Sequence, residues 1–397
     1  MRSALTTLVL TVILAVPVGA EETWLGQRVF WRPGATAKVG TTLVPVDTLP
    51  FPAAVEAVNG DWLWLHRAWI RKQDVATADK ALADFTARVR AEPNNAVWRT
   101  CRGAILRAKG DYPGAIAEFS EAIRLDPRQV AALNNRGSAL AHEGQSDGAI
   151  DDLSEAIRLD PNFAAAYLNR GAAWTQVGDY DNALRDLNEA VRLDPKDPGA
   201  WLGRGNAWAA KGDYQRAVDD LNQAIGLDST DALAYANRGG ARKLLGDYAA
   251  ALKDYDQAIR LDPRDAETLA ERGSVWAAQG EYEQAASNYE QALRVDRQSA
   301  TAANNLAWLE ATCPDAKFRD GKRAVQLATQ ACEAVQWQDA TQLDTLAAAC
   351  AEAGDFQAAV KWIEKALILA ADSEKATYEA HLALYRAGKP YRDEPAK

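Results

Sequence analysis

Arginines recur at a constant interval along most of this chain, and each stands directly before a glycine. The interval is thirty-four residues, and the arginines are Arg102, Arg136, Arg170, Arg204, Arg238 and Arg272. A guanidinium binds carboxylate or phosphate oxygens through a fixed fork of N–H donors. Packed helices lie about 8 to 10 Å apart, comparable with the Debye length, so unpaired guanidiniums would repel one another. Either these arginines pair with carboxylates or helix-end carbonyls of the neighbouring unit, or they form a stripe that binds an anionic ligand.

The sequence lacks the usual catalytic motifs. Its three histidines, His66, His142 and His381, lie in separate segments, which excludes HExxH and any other local two-histidine metal site. No GxxxxGK motif occurs, and no GxGxxG follows a strand. Paired carboxylates such as Asp151-Asp152 fall on solvated helix faces. We therefore predict a protein that is not an enzyme and uses neither metal nor cofactor.

The cysteines leave two alternatives open. Cys101 stands alone, whereas Cys313, Cys332 and Cys350 cluster late in the chain, and their spacing fits no CxxC metal pattern. A bridge from Cys313 to Cys332 or from Cys332 to Cys350 is one alternative, and free buried thiols are the other. A large helical protein has enough core to fold without a disulfide.

Charge and composition narrow the class of partner. The 397 residues carry a net charge of −10, and lysines and arginines form no cluster. Nucleic-acid binders usually present a clustered basic face, so nucleic acid is excluded as a predicted partner. About 48% of the residues are hydrophobic, which is typical of a folded chain with a sizeable core.

A thirty-four-residue repeat organises residues 95–298 into six units. Each unit contains two apolar-periodic helices joined at a Gly-Asp-Tyr turn such as Gly178-Asp179-Tyr180 and closed by a triplet such as Leu159-Asp160-Pro161. Glycine supplies the left-handed residue after the first helix, Asp caps the second, and Pro ends it. The pattern predicts antiparallel helical hairpins that must stack to bury their apolar faces.

Side-chain size is also fixed at particular positions of each unit. A glycine lies within the first helix, and alanines follow it after twelve and nineteen residues, as in Gly171, Ala183 and Ala190. Bulky residues such as Trp174 and Leu187 lie between them. This alternation resembles the tetratricopeptide repeat over about two thirds of the chain. The resemblance implies a mainly α fold, a right-handed α-solenoid of helix hairpins whose first helices line a concave groove that binds peptides or proteins.

The repeat pattern changes at both ends. Residues 78–94 match only the second half of a repeat and are predicted to form a capping helix. Residues 299–340 form an atypical repeat with a longer turn from Thr312 to Gly321, residues 341–372 an eighth repeat, and residues 373–397 a C-terminal capping helix and tail. Such caps are expected because an open stack would expose its last apolar face.

Residues 1–20 combine a basic start, an apolar run and small residues before Glu21, which is typical of a secretory signal peptide. A membrane anchor is the alternative interpretation. No other apolar stretch reaches eighteen residues, so the mature chain is predicted to have no transmembrane segment and to lie in the periplasm or outside the cell.

Residues 21–77 differ from the helical repeats in sequence pattern. They contain short runs rich in β-forming residues, separated by the turns Pro33-Gly34 and Asn59-Gly60-Asp61. Strands are predicted over residues 27–32, 42–46, 54–58, 62–66 and 68–71, which would suit a small closed barrel. The last two strands resemble those of bacterial SH3-like domains. Trp62, Trp64 and Trp69 either fill the core of this barrel or form a platform for proline-rich or cell-wall ligands.

Partner-binding positions are predicted on the first helices, just after the bulky residue and just after the glycine. They are Asn134, Ser138, His142, Leu168, Thr175, Gln176, Leu202, Asn206, Lys243 and Ser274. This set is nearly uncharged, which argues against a carboxylate clamp of converging Lys, Arg and Asn and favours a neutral or extended peptide.

The leading hypothesis is an exported, non-enzymatic scaffold that binds protein or peptide partners in its groove. One alternative is a cell-envelope module whose barrel recognises wall material while the repeats recruit a partner. A second alternative is the regulatory subunit of an enzyme complex.

Overall fold

The computed structural model describes residues 75–394 and, before them, seven short strands between Arg28 and Arg71; side chains are described for Phe30 and residues 77–394. The predicted signal peptide lies outside the described residues. The strands are β1 (Arg28–Trp31), β2 (Thr36–Val39), β3 (Thr42–Pro45), β4 (Ala53–Ala54), β5 (Ala57–Asn59), β6 (Trp62–Leu65), β7 (Ala68–Arg71) and β8 (Val75–Ala76).

The strands form two antiparallel sheets, in the orders β3-β2-β7-β6-β5 and β4-β1-β8. Asn59 pairs with Trp62, as the predicted hairpin at Asn59-Gly60-Asp61 requires. Strand β2 is absent from the predicted set, and it separates β3 from β7. Among the described strands no pairing joins the two sheets, so the single SH3-like barrel that the sequence predicted is not supported.

Helices make up the rest of the described chain. They are α1 (Ala78–Ala91), α2 (Ala96–Ala108), α3 (Tyr112–Leu125), α4 (Val130–His142), α5 (Ser146–Leu159), α6 (Ala164–Gln176), α7 (Tyr180–Leu193), α8 (Pro198–Lys211), α9 (Tyr214–Leu227), α10 (Ala232–Leu244), α11 (Tyr248–Leu261), α12 (Ala266–Ala278), α13 (Tyr282–Val295), α14 (Ala300–Thr312), α15 (Gly321–Ala334), α16 (Ala340–Glu352), α17 (Phe356–Leu369) and α18 (Asp372–Arg386). The chain divides into two compact units, Met1–Gly212 (unit 1) and Asp213–Lys397 (unit 2).

The turns inside the hairpins follow the predicted chemistry. Each first helix of the regular repeats is followed by a glycine in the left-handed region, for example Gly178 with φ of 81°. The carboxylate of Asp179 then accepts a hydrogen bond from the backbone N–H of Asn182 at 3.1 Å and so caps the second helix. The same cap is present at Asp111, Asp213, Asp247 and Asp355.

Proline is not what ends the second helices. They end at the leucine or valine before the Asp in all six repeats, including the two in which Ser229 and Arg297 replace proline. In each repeat the Asp carboxylate accepts a hydrogen bond from the backbone N–H two residues further on, as Asp228 does from Thr230 at 2.8 Å. This local bond competes with the helix and turns the chain.

Close packing explains the glycines within the first helices. A Cβ on Gly171 would lie 2.6 Å from Cγ of Leu187, sixteen residues on in the second helix, and 3.2 Å from the carbonyl oxygen of Ala183. Gly103, Gly137, Gly239 and Gly273 meet the residue sixteen positions later in the same way. The alanines of the pattern, such as Ala183 and Ala190, are almost wholly buried between the helices.

The C-terminal part of unit 2 departs from the regular hairpin. A short 3-10 helix, Ala316–Phe318, lies between α14 and α15. Gly321, where α15 begins, approaches α16 so closely that a Cβ would lie 2.5 Å from the backbone nitrogen of Ala353. Helix α18 buries Tyr378 and Tyr385 in the core of this region, where it packs against α17.

Candidate functional site

A groove of about 700 Å³ lies within unit 2. Its floor and walls come from the first helices α12, α14 and α16, from α13, from the start of α18 and from the C-terminal segment that follows α18. First helices of consecutive hairpins share one side of a stack, which is why polar residues widely separated in the sequence meet here.

Carboxylates dominate the charged lining of the groove. Asp344 on α16, Glu374 on α18, and Asp393 and Glu394 in the C-terminal segment line it, together with the aromatic side chains of Tyr282, Tyr289, Trp308 and Tyr378. No lysine or arginine is among the lining residues of this groove in the described chain. The groove therefore has an acidic and aromatic character.

The C-terminal segment is fixed to α14. One carboxylate oxygen of Asp393 accepts hydrogen bonds from Nε1 of Trp308 at 2.9 Å and from Oγ1 of Thr312 at 2.7 Å. The backbone N–H of Asp393 donates to the carbonyl of Thr312 at 3.0 Å. Arg392 forms an ion pair with Glu352 and donates to the carbonyl of Ala311. These bonds place acidic residues at the groove although they are far from α14 in sequence.

Asp344, which lines the groove, forms a buried pair with His381, with Oδ1 of Asp344 2.8 Å from Nδ1 of His381. Burial raises the pKa of the Asp344 carboxyl, and the hydrogen bond with His381 opposes that rise. The ring of Tyr391 lies 4.3 Å from that of His381. The pair joins α16, α18 and the C-terminal segment.

The predicted partner-binding residues are only partly accessible. Asn134 is fully buried and Leu202 nearly so. Asn134 accepts a hydrogen bond from Asn169, because the two neighbouring first helices approach closely, so these two predicted positions present no free surface. Leu168 packs against α7 and α8. Asn206 is half-buried.

The remaining predicted positions on the first helices either form hydrogen bonds or ion pairs within the protein or are exposed to solvent. Ser138 accepts from Arg107 at 2.8 Å, and Lys243 forms an ion pair with Glu271 and donates to Ser274. Thr175 donates to the carbonyl of Gly171. Exposed positions are His142, whose ring stacks on Tyr112 at 3.6 Å, and Gln176. Of the predicted positions whose side chains the structure describes, only Ser274 lines the groove.

The arginine series pairs within the protein. Arg170 binds both oxygens of Asp186 at 2.7 and 2.8 Å and donates to Ser154 at 2.9 Å. Arg102, Arg136 and Arg238 likewise bind a carboxylate sixteen residues on, whereas Arg272 binds Asn288 and Asp256 and Arg204 binds Asn188. The structure therefore favours internal pairing over the anionic stripe, because each of these guanidiniums donates to at least one acceptor within the protein.

The sequence predicted that the neighbouring unit supplies the carboxylates that bind the arginines, and the structure corrects this detail. Most of the carboxylates belong to the same hairpin as the arginine, such as Asp186 for Arg170, and not to the neighbouring unit. The preceding hairpin supplies a second, usually uncharged acceptor, such as Ser154. Arg272 reverses this order, since its carboxylate, Asp256, comes from the preceding hairpin.

The cysteines are free thiols in the structure. Cys313, Cys332 and Cys350 are buried, and burial raises the pKa of Cys332 to about 12 and of Cys350 to about 11. The bridged alternative is not formed. In the described part of the chain, no three His, Cys, Asp or Glu side chains are arranged to hold a metal ion.

Within residues 75–394, no helix is long and apolar enough to span a membrane. Trp62 and Trp64 lie on β6, and Trp69 on β7 opposite Trp64. Their side chains lie outside the described residues, so their predicted platform stays a prediction.

Sequence reasoning missed most of the groove. Asp344, Glu374, Asp393 and Glu394 stand outside the regular repeats, where the thirty-four-residue register offers no equivalent positions to compare. One signal was present: Trp308 interrupts the repeat pattern of the first helices, and it lies at the centre of these contacts.

Comparison with known proteins agrees with this architecture. Two models of the tetratricopeptide repeat match the chain, one over residues 70–127, 102–164, 172–232 and 277–312 and the other over residues 232–265. Together they cover more than half of the sequence. The chain belongs to the tetratricopeptide repeat family, whose proteins are generally non-catalytic scaffolds for protein–protein interaction.

Similar solved structures are distant in sequence. A chain of the APC/C hetero-tetramer Cut9–Hcn1 is 17% identical with a TM-score of 0.59, and the alignment covers 76% of this chain and 58% of that one. A tetratricopeptide repeat protein from Parabacteroides merdae is 16% identical, with a TM-score of 0.45 and coverages of 74% and 99%. No curated protein sequence matches this chain. The first of these likenesses supports the repeat fold alone.

Proposed function

We propose that this protein is a non-enzymatic scaffold that binds a protein partner by holding a peptide segment in the groove of unit 2. The observation that carries the proposal is the open groove of about 700 Å³, lined by the first helices α12, α14 and α16. Its aromatic side chains are half-buried or buried and lie beside a few polar groups, a composition typical of ligand-binding pockets and grooves. The family supports the proposal because its members generally act as interaction scaffolds.

Site-specific photo-crosslinking tests this proposal. A photoreactive residue at Thr377, which lines the groove, is expected to crosslink a discrete partner in cells that produce the protein. The control position is Glu379, exposed on the same helix but not among the groove-lining residues. Equal crosslinking from the two positions, or none from Thr377, would contradict groove binding.

We further propose that the chain is exported and that residues 1–20 are removed as a signal peptide. The support is the order of a basic start, an apolar run and small residues before Glu21. N-terminal sequencing of the protein from the cell envelope or medium is expected to begin at Glu21. A product that begins at Met1 would exclude cleavage.

A further inference from the structure

We propose that the groove of unit 2 selects a basic peptide, one that presents a lysine or arginine beside an apolar side chain. This inference rests on the proposed peptide-binding function and adds the chemistry of the partner. It replaces the neutral peptide that the sequence favoured.

The charge of the groove is the first argument. Four carboxylates from α16, α18 and the C-terminal segment line it, and no lysine or arginine lies among its lining residues. Three of the four are engaged. Asp344 bonds with His381, and Asp393 accepts from Trp308 and Thr312. Glu374 accepts from the backbone N–H of Ala371 at the start of α18. Glu394 is exposed and makes no hydrogen bond or ion pair with any described residue. A cation entering the groove would relieve the repulsion among these carboxylates, whereas an acidic peptide would add to it.

The second argument is the shape and chemistry of the remaining surface. Trp308, Tyr282 and Tyr378 line the same groove. Aromatic faces attract ammonium and guanidinium groups, and the methylene stems of Lys and Arg pack on apolar surface. A basic side chain therefore suits both the carboxylates and the aromatic rings that line the groove.

A third observation concerns Asn304, which lies in the floor of the groove on α14. Its Oδ1 atom is buried and has no hydrogen-bond partner among the described residues. A buried acceptor without a partner gains a hydrogen bond when a ligand brings a donor. The backbone N–H groups and the basic side chains of a bound peptide are such donors. The groove thus offers acceptors to its ligand.

Selection from an array of random twelve-residue peptides, probed with the full chain, tests the inference. Peptides rich in lysine or arginine are expected, and replacing their basic residues with glutamate should abolish binding. Selection of acidic or neutral peptides would overturn the inference while the proposed peptide-binding function stood. If no peptide were selected and Thr377 gave no crosslink, the proposed function itself would fail.

Two groove carboxylates provide the matched variants. Glu374→Gln with Glu394→Gln should weaken binding of the selected peptide by roughly tenfold at low salt and reduce its salt dependence. The side-chain oxygen of glutamine can still accept the hydrogen bond that the backbone N–H of Ala371 donates to Glu374, so α18 keeps its N-terminal cap. The control, Glu333→Gln with Glu379→Gln, removes two exposed charges of unit 2 outside the groove and should leave affinity within about twofold.

Removing the C-terminal segment is an independent test of the inference. A chain that ends at Gly388 lacks Asp393 and Glu394 and is expected to bind the basic peptide more weakly. Tighter binding would mean that the segment occupies the site instead of forming its wall, and would overturn the inference.

Discussion

Arg170 joins two neighbouring hairpins of unit 1, since it binds Asp186 of its own hairpin and Ser154 of the preceding one. Its side chain is 20% exposed and that of Asp186 is 7% exposed. Such a pair stabilises mainly because losing one partner leaves the other charge buried and uncompensated.

Replacing Arg170 by Ala is expected to lower the free energy of unfolding by about 3 kcal/mol, measured by urea denaturation. Arg158→Ala is the control, because Arg158 pairs with Glu155 on the exposed face of one helix. That loss should stay below about 1 kcal/mol. Equal losses would argue against a stabilising role for the arginine series.

Substitutions at Gly171 and Gly226 distinguish the effect of helix propensity on stability from the effect of packing. Both lie within helices, but a Cβ on Gly171 would meet Leu187 and the backbone of Ala183, whereas nothing lies within 4 Å of a Cβ on Gly226. Gly171→Ala should destabilise by about 1 to 3 kcal/mol through overpacking. Gly226→Ala should stabilise by about 0.5 to 1 kcal/mol. Thermal unfolding of both variants tests this, and stabilisation by Gly171→Ala would refute close packing.

At the scale of the element, the end of each second helix depends on its Asp. Asp228 has φ of −134° and ψ of 99°, close to the −138° and 92° of Asp126, which precedes a proline. The backbone before Ser229 is therefore already suitable for a following proline.

Ser229→Pro is expected to stabilise by about 0.4 to 1 kcal/mol, because proline restricts the unfolded chain without straining the fold. Thr230→Pro is the control: the N–H of Thr230 donates to Asp228, so proline removes that bond and should destabilise. Chemical denaturation of the two variants should give shifts of opposite sign. Destabilisation by both would show that the turn does not accept proline.

The lengthened turn of the atypical repeat covers Glu310 of α14. Its Oε1 lies 2.9 Å from Arg323, while Oε2 is buried without a hydrogen-bond partner among the described residues. Burial raises the pKa of Glu310 to about 7; Arg323 opposes this rise, and Asp320 and Glu290 add to it. Because the folded chain binds this proton more tightly than the unfolded chain, the contribution of Glu310 is fully present below its ordinary pKa of 4.5 and is lost as pH rises through about 7.

Glu310→Gln should remove this part of the pH dependence. The wild-type chain is expected to gain stability relative to the variant between pH 8 and pH 5, with a slope of at most about 1.4 kcal/mol per pH unit. Denaturation series across pH measure the difference, with Glu333→Gln, an exposed carboxylate on α15, as the control. Parallel curves for wild type and Glu310→Gln would contradict the raised pKa.

At the scale of the whole molecule, unit 2 is closed by α18. Tyr378 and Tyr385 are buried there with Ile363 and Ala366 of α17. A stack that loses its cap exposes the apolar face of its last hairpin.

A chain that ends at Ala370 is expected to bind a hydrophobic dye and to unfold several degrees lower. A chain that ends at Gly388 keeps α18 but loses the bonds of Arg392 and Asp393 to α14 and α16, so it should unfold below the intact protein and above the shorter truncation. Identical melting temperatures for the two truncations would mean that α18 is not a structural cap.

The sequence by itself determined the hairpin repeat. Glycine, alanine and bulky positions recur every thirty-four residues, and each turn depends on neighbours within a few residues, such as Gly178 and Asp179. For the arginine series the sequence left internal pairing and an anion-binding stripe as alternatives, and the structure showed the pairing. Local interactions of this kind can be predicted from the sequence because the same residue types recur at the same positions in every repeat.

Only the tertiary structure decided which side chains form the groove. Asp344 meets His381 thirty-seven residues on, and Trp308 meets Asp393 eighty-five residues on. The thirty-four-residue pattern does not predict these contacts, because they form where α18 and the C-terminal segment pack against α14 and α16. For the same reason Asn134 and Leu202 were expected on an open face and are buried, since the spacing between neighbouring first helices is fixed by packing and not by either helix alone.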